Sequence, residues 1–203
     1  MDVQLFGKMK CQECLNMSSR RKRKMFKVIA LMGKAGSGKD ALLHELIRQC
    51  PDANEMISCT TRPIREGEVH GVNYFYMTPE EFGARVLNGE MLECTEFNNW
   101  FYGTSYEALR SDCINIGVFN PAGVESMLHF PDIEVTVFYI TASDKTRLLR
   151  QLNRESNPDV REIIRRYTAD EIDFEDLSDI PHTVIVNEGP LAETAKEILA
   201  QIN

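Results

Sequence analysis

The chain has 203 residues, 43% of them hydrophobic and 27% charged, with a formal net charge of −8 at pH 7. That length suits one domain with small insertions. The acidic balance excludes a general nucleic-acid binder, whose phosphate contacts show as a basic excess, but leaves room for small anionic substrates held by a few local cations.

The first 25 residues read as a flexible basic arm, with "SSRRKRK" at 18–24 and no apolar segment of secretory type. Cys11 and Cys14 form a C-x-x-C without a second pair of ligands nearby, so the spacing does not make a zinc site. The other cysteines, at 50, 59, 94 and 113, lie in or beside apolar segments and read as free thiols of a cytoplasmic protein. No apolar run approaches the roughly 20 residues that cross a bilayer.

Ordered structure is expected from Phe26 to the C-terminus. "FKVIALMG" (26–33) is a buried strand by its continuous apolar, β-branched run. "GKAGSGKD" (33–40) follows, and then "DALLHELIRQC" (40–50) has apolar residues at helical spacing, with Pro51 beyond. Strands are expected at 56–60, 114–119, 133–140 and 183–187, and helices at 79–89, 143–155, 159–174 and 190–202. Alternating strands and helices predict an α/β fold with a parallel sheet core. Residues 62–105, rich in glycine, aromatics and charge, read as an inserted subdomain with a mixed sheet.

A glycine-rich stretch between strand and helix is the setting of a phosphate loop. Backbone amides of Lys34, Ala35, Gly36, Ser37 and Gly38 would curl around an anion at a helix N-terminus, and Lys39 would bridge the donor's terminal phosphates. The usual Ser or Thr after that lysine is here Asp40. A carboxylate is a hard ligand for Mg²⁺, so Asp40 predicts a metal-dependent loop; a plain first-turn acid is the competing reading. In "SCTTRPIREGEVHGVNYFYM" (58–77), Arg62 and Arg65 offer a guanidinium pair for a phosphate, with hydroxyls from Tyr74 and Tyr102.

Together, "GKAGSGKD", "TTRPIREGEVHGVNY" and "GEMLECTEFNNWFYGTS" (89–105) resemble the guanylate kinases, in the right order over about residues 27–200. The resemblance implies a P-loop kinase with an acceptor-binding subdomain (62–105) and an arginine-rich lid (147–167), acting on small-molecule nucleotides. It implies transfer of the γ-phosphoryl group of ATP to GMP or dGMP. It implies Arg62, Arg65, Tyr74 and Tyr102 on the acceptor phosphate and Ser58, Glu93 and Thr104 on its base. Arg150, Arg154 and Arg166 (or Arg165) are the implied lid arginines, and Asn187 lies by the donor adenine.

One segment departs from the family. "GVFNPAGV" (117–124) puts Val118 and Asn120 where the family carries two aspartates, one of which helps read guanine. Base choice is therefore open, Asn120 is a candidate base contact, and Asp40 is expected to replace the lost charge near the metal. Two alternatives stand beside a guanylate kinase: a kinase for another nucleoside monophosphate, and a non-catalytic interaction module of the same fold. The sequence leaves the oligomeric state open.

Overall fold

The computed structural model describes residues 25–65, 67–97, 99–154 and 156–202. The basic arm and the Cys11/Cys14 pair lie outside the described residues. Two compact units appear, one built on Ile57–Ala108 and the other on Phe26–Met56 together with the chain from Leu109 onward.

The larger unit holds a five-stranded parallel sheet of order β2-β7-β1-β8-β9. Its strands are β1 (Phe26–Met32), β2 (Asn54–Glu55), β7 (Ile114–Phe119), β8 (Ile133–Thr141) and β9 (Thr183–Val186). Val28 to Met32 are all buried, as a central strand covered on both faces requires. Helices α1 (Lys39–Gln49) and α6 (Leu191–Ile202) cover one face. There Leu42, Leu43 and Leu46 meet Ile29, Leu31, Ile116, Phe138, Ile185 and Ile198 in one core.

The same unit carries α3 (Pro121–Leu128), α4 (Asp144–Leu152) and α5 (Val160–Asp173). Helix α3 was not expected from the apolar pattern. Its signals are local: Asn120 is the N-cap, its Oδ1 accepting from Gly123 N at 2.8 Å, and Pro121 takes the first helical position. Of the lid segment expected at 147–167, residues 147–152 lie in α4 and residues 160–167 in α5.

The smaller unit contains a four-stranded mixed sheet of order β4-β3-β6-β5 and helix α2 (Pro79–Leu87). Its strands are β3 (Cys59–Thr60), β4 (Phe75–Tyr76), β5 (Met91–Phe97) and β6 (Trp100–Ser105). A Thr78–Glu81 capping box and Pro79 start α2. The single strand expected at 56–60 is not formed. Met56 N donates to Ile116 O beside the parallel sheet, while Cys59 and Thr60 pair with β4 and β6. The apolar run is therefore shared between two sheets, because the chain crosses from one unit to the other there.

Candidate active site

Residues 33–38 form a turn between β1 and α1. Gly36 and Gly38 have φ of 79° and 92°, conformations that side chains rarely adopt. Space is also closed to larger residues: an added Cβ would strike the Arg147 backbone carbonyl at Gly36 and the Asn187 side-chain nitrogen at Gly38. Lys39 turns back on the loop, its Nζ donating to Gly33 O at 2.5 Å and Lys34 O at 3.3 Å. Burial lowers its pKa, against the opposing charges of Asp40 and Asp170. An added triphosphate would favour the charged ammonium again.

Side chains from later in the chain donate to carbonyls of this loop. Arg150 on α4 donates to Ser37 O at 3.1 Å and to Asn187 O at 2.8 Å. Asn187, just past β9 and fully buried, donates its Nδ2 to Ser37 O at 2.8 Å. Arg147 lies under the loop, with Nε on Ala35 O at 3.1 Å. Ser37 Oγ and Asn187 Oδ1 are buried without a hydrogen-bond partner, which leaves two polar atoms with unused bonding capacity beside the loop.

In the smaller unit Arg62 is 5% exposed and grips Glu68 with two parallel bonds of 2.9 and 2.8 Å. Glu68 also accepts from Arg65 N and Tyr76 Oη, each at 2.8 Å. Burial opposes ionisation of Glu68, but these donors outweigh it and hold the pKa down to about 2. The Arg62 guanidinium lies 5.6 Å from the ring centres of both Tyr74 and Tyr76, and Tyr102 meets Tyr74 edge-on at 6.0 Å. The Arg65 side chain is exposed.

Nearby on the same sheet, Glu93 of β5 stands opposite Thr104 of β6. Thr104 is fully buried and shares a 3.0 Å hydroxyl contact with Ser58. Burial pushes the Glu93 carboxyl up to about 7, although Thr104 donates to it. The fold thus joins Ser58, Glu93 and Thr104 in one polar cluster, and Arg62, Tyr74 and Tyr102 in an aromatic-cationic one.

A guanylate kinase family model matches residues 25–203. The chain belongs to the guanylate kinase family. The guanylate kinase of Helicobacter hepaticus is 32% identical over 180 residues, covering 86% of this chain and 88% of that protein. That of Desulfitobacterium hafniense is 28% identical over 178 residues, covering 85% and 88%. Among solved structures, guanylate kinase from Anaplasma phagocytophilum aligns with a TM-score of 0.63 at 23% identity, covering 88% of this chain and 85% of that one, and so shares the fold. Among the described residues no helix is long and apolar enough to cross a membrane.

Within this guanylate kinase fold, the other expected site residues are distributed unevenly. Arg166 and Arg165, on α5, both bind the Glu162 carboxylate at 2.8–2.9 Å, and Arg154 is exposed in the turn after α4. Asp40 is exposed in the first turn of α1. Asn120 lies in the larger unit with its oxygen committed to the α3 cap. Val118 packs against the core from β7, beside Leu31 in register, which explains an apolar residue there. Sequence reasoning missed Glu68, Tyr76, Arg147 and Asp170 as members of these constellations. For Glu68 a signal was present, since it lies three residues after Arg65 and six after Arg62. Arg147 and Asp170 are 23 residues apart and carried none.

Proposed function

We propose that this guanylate kinase-family protein transfers the γ-phosphoryl group of ATP to GMP or dGMP, with Mg²⁺. The observation that carries the reading is the intact loop, with Gly36 and Gly38 in left-handed conformations and Lys39 directed at the loop's own carbonyls. A module that had lost catalysis would have no use for it.

In this reading the donor phosphates displace the Gly33 and Lys34 carbonyls from Lys39, and the ammonium stabilises charge on the transferred group. Arg150, Arg154 and Arg166 act on the same charge, with Arg165 able to replace Arg166. Amides of Lys34, Ala35, Gly36, Ser37 and Gly38 hold the donor, and Asn187 Oδ1, unpartnered but buried, would accept from an adenine amino group once donor binding uncovers it. Arg62, Arg65, Tyr74 and Tyr102 hold the acceptor phosphate, which must leave Glu68 or share Arg62 with it. Ionised Glu93 accepts from N1–H and the 2-amino group of guanine, with Ser58 and Thr104 alongside. Asn120, its oxygen engaged, keeps only its amide donor for a base. No covalent intermediate is needed, because positioning and charge account for the rate.

Among the described residues no group of three or more His, Cys, Asp or Glu gathers as a metal site. The residues present still fit Mg²⁺, which typically takes one or two carboxylates plus phosphates and water, and Asp40 beside Lys39 offers that carboxylate. When bound, Mg²⁺ neutralises charge across the donor phosphates. Asp40→Ala should raise the Mg²⁺ concentration for half-maximal turnover several-fold, while costing about 0.3–1 kcal/mol of stability as a first-turn acid. An unchanged Mg²⁺ profile would make Asp40 a helix-end charge and nothing more.

The deciding experiment is a coupled assay with MgATP and a panel of GMP, dGMP, AMP, dAMP, dTMP, UMP and CMP. Turnover confined to GMP and dGMP supports the reading, and turnover on another base moves the assignment to a different nucleoside monophosphate kinase. No turnover with bound ATP favours the interaction module. The same assay run against pH tests Glu93. Because its folded pKa is raised from 4.5 to about 7, it costs nothing below pH 4.5 and its ionisation weakens the fold increasingly from 4.5 to about 7. Guanine needs the ionised form, so KM for GMP should fall as pH rises toward 7 and level off above it. Glu93→Gln should raise KM about 10–100-fold, the worth of a charged hydrogen bond, and remove that pH dependence beyond the part due to the substrate's own phosphate.

A further inference from the structure

Ala35 is held through both its N–H and its C=O by one ion pair that belongs neither to the phosphate loop nor to the expected lid arginines. Ala35 N donates to Asp170 Oδ2 at 2.6 Å, and Arg147 Nε donates to Ala35 O at 3.1 Å. Arg147 closes the ring by donating to the same Asp170 oxygen at 3.1 Å. The pair is well buried: Arg147 is 3% exposed, and the Asp170 side chain 16%. Asp144 holds the other arm of Arg147 at 3.0 Å, and the Tyr167 ring lies 4.8 Å from its guanidinium. Two helices, α4 and α5, thus meet at one residue of the loop.

We propose that Asp170 and Arg147 are positioning residues that fix the two peptide planes flanking the Ala35 Cα and so shape the loop for the donor's phosphates. The inference rests on the reading of that loop as the donor site. Its physical basis is the composition of the loop. Gly36 and Gly38 give it backbone freedom, which must be lost when a triphosphate binds. Holding the preceding residue by both its N–H and its C=O removes part of that cost beforehand. A loop of this kind needs an anchor that does not itself compete for the phosphates. Asp170 meets that need because Arg147 neutralises it at 3.1 Å, so a carboxylate near Lys39 adds little repulsion to the bound anion. The rival role is plain packing, in which the pair joins α4 to α5 and the loop is a bystander.

The two roles separate by titration calorimetry of the full-length protein with MgATP and, separately, with GMP. Asp170→Ala removes the acceptor for Ala35 N and should weaken MgATP about five- to tenfold, less than the full worth of a charge-assisted hydrogen bond because only the loop's preorganisation is lost. Affinity for GMP should stay within about twofold. Asp170→Asn keeps an oxygen for the Ala35 amide and should recover at least half of the loss on a logarithmic scale. Arg147→Met, which removes the donor to Ala35 O but keeps the bulk, should weaken MgATP by a similar factor and gives an independent reading if the alanine variant is unstable. MgATP affinity unchanged in the alanine and methionine variants, or GMP weakened equally, or no recovery with asparagine, would overturn the proposal. Titration needs no turnover: a wild-type chain that binds MgATP and phosphorylates nothing would sink the kinase reading alone.

Discussion

Lys39→Ala is expected to lower kcat/KM for phosphoryl transfer about 10²–10³-fold, the loss seen when one preorganised charge donor is taken from a site where charge develops. The effect on folding should be small. Lys39 is buried, and burial already disfavours its ammonium, so removing it relieves a desolvation cost. What is lost in return is the pair of bonds to Gly33 O and Lys34 O, with a net worth of about 1 kcal/mol each. Steady-state kinetics beside a thermal melt would therefore separate the two contributions: a large kinetic loss with a melting temperature shifted by a few degrees. A kcat/KM within tenfold of wild type would mean that Lys39 serves only to close the loop on itself.

Arg62→Ala should act on both stability and acceptor binding. The residue is 5% exposed and is bound by two bonds to Glu68. Removing it leaves a carboxylate that is held near pKa 2 without its main cation. Breaking such a buried pair from one side costs about 3–5 kcal/mol. The acceptor phosphate would lose its least exposed guanidinium at the same time. The double variant Arg62→Met, Glu68→Gln separates these effects, since it leaves no buried charge. It should recover most of the stability by chemical denaturation, while KM for the acceptor monophosphate stays raised. If the double variant restored KM as well, Arg62 would be a structural partner of Glu68 and the phosphate would be held elsewhere.

The reading of the chain was most accurate where the governing interactions are local. The loop between β1 and α1 is legible because a buried apolar run, three glycines and a lysine follow one another in one stretch, and each constrains only its neighbours. The capped start of α2 is legible for the same reason. Helix α3 carries a local signal too, since Asn120 and Pro121 form an ordinary helix start, but its eight residues are too short to show a helical apolar period. The 56–60 run misled because its apolar pattern gives no sign that the chain passes from one sheet to another midway.

Arg150 was expected to act over the triphosphate, and it is found bonded to carbonyls of Ser37 and Asn187. Spacing along a helix tells which face an arginine occupies, but not which backbone groups meet that face. Glu68 had the spacing of a partner for Arg62, yet its choice between solvent and guanidinium depends on the Tyr74 and Tyr76 rings that screen the pair.

By itself, then, the sequence determined most of the long strands and helices of the larger unit, the α/β class, the phosphate loop and the residues able to carry phosphate chemistry, since these follow from short-range periodicity, turn chemistry and residue type. Only the tertiary structure decided which charges are spent on the protein itself. The grip of Arg62 on Glu68 is one case, the sharing of Glu162 by Arg165 and Arg166 another, and the clamp of Arg147 and Asp170 on Ala35 a third. Burial sets the worth of a charge, and burial is created by contacts between residues far apart in the chain.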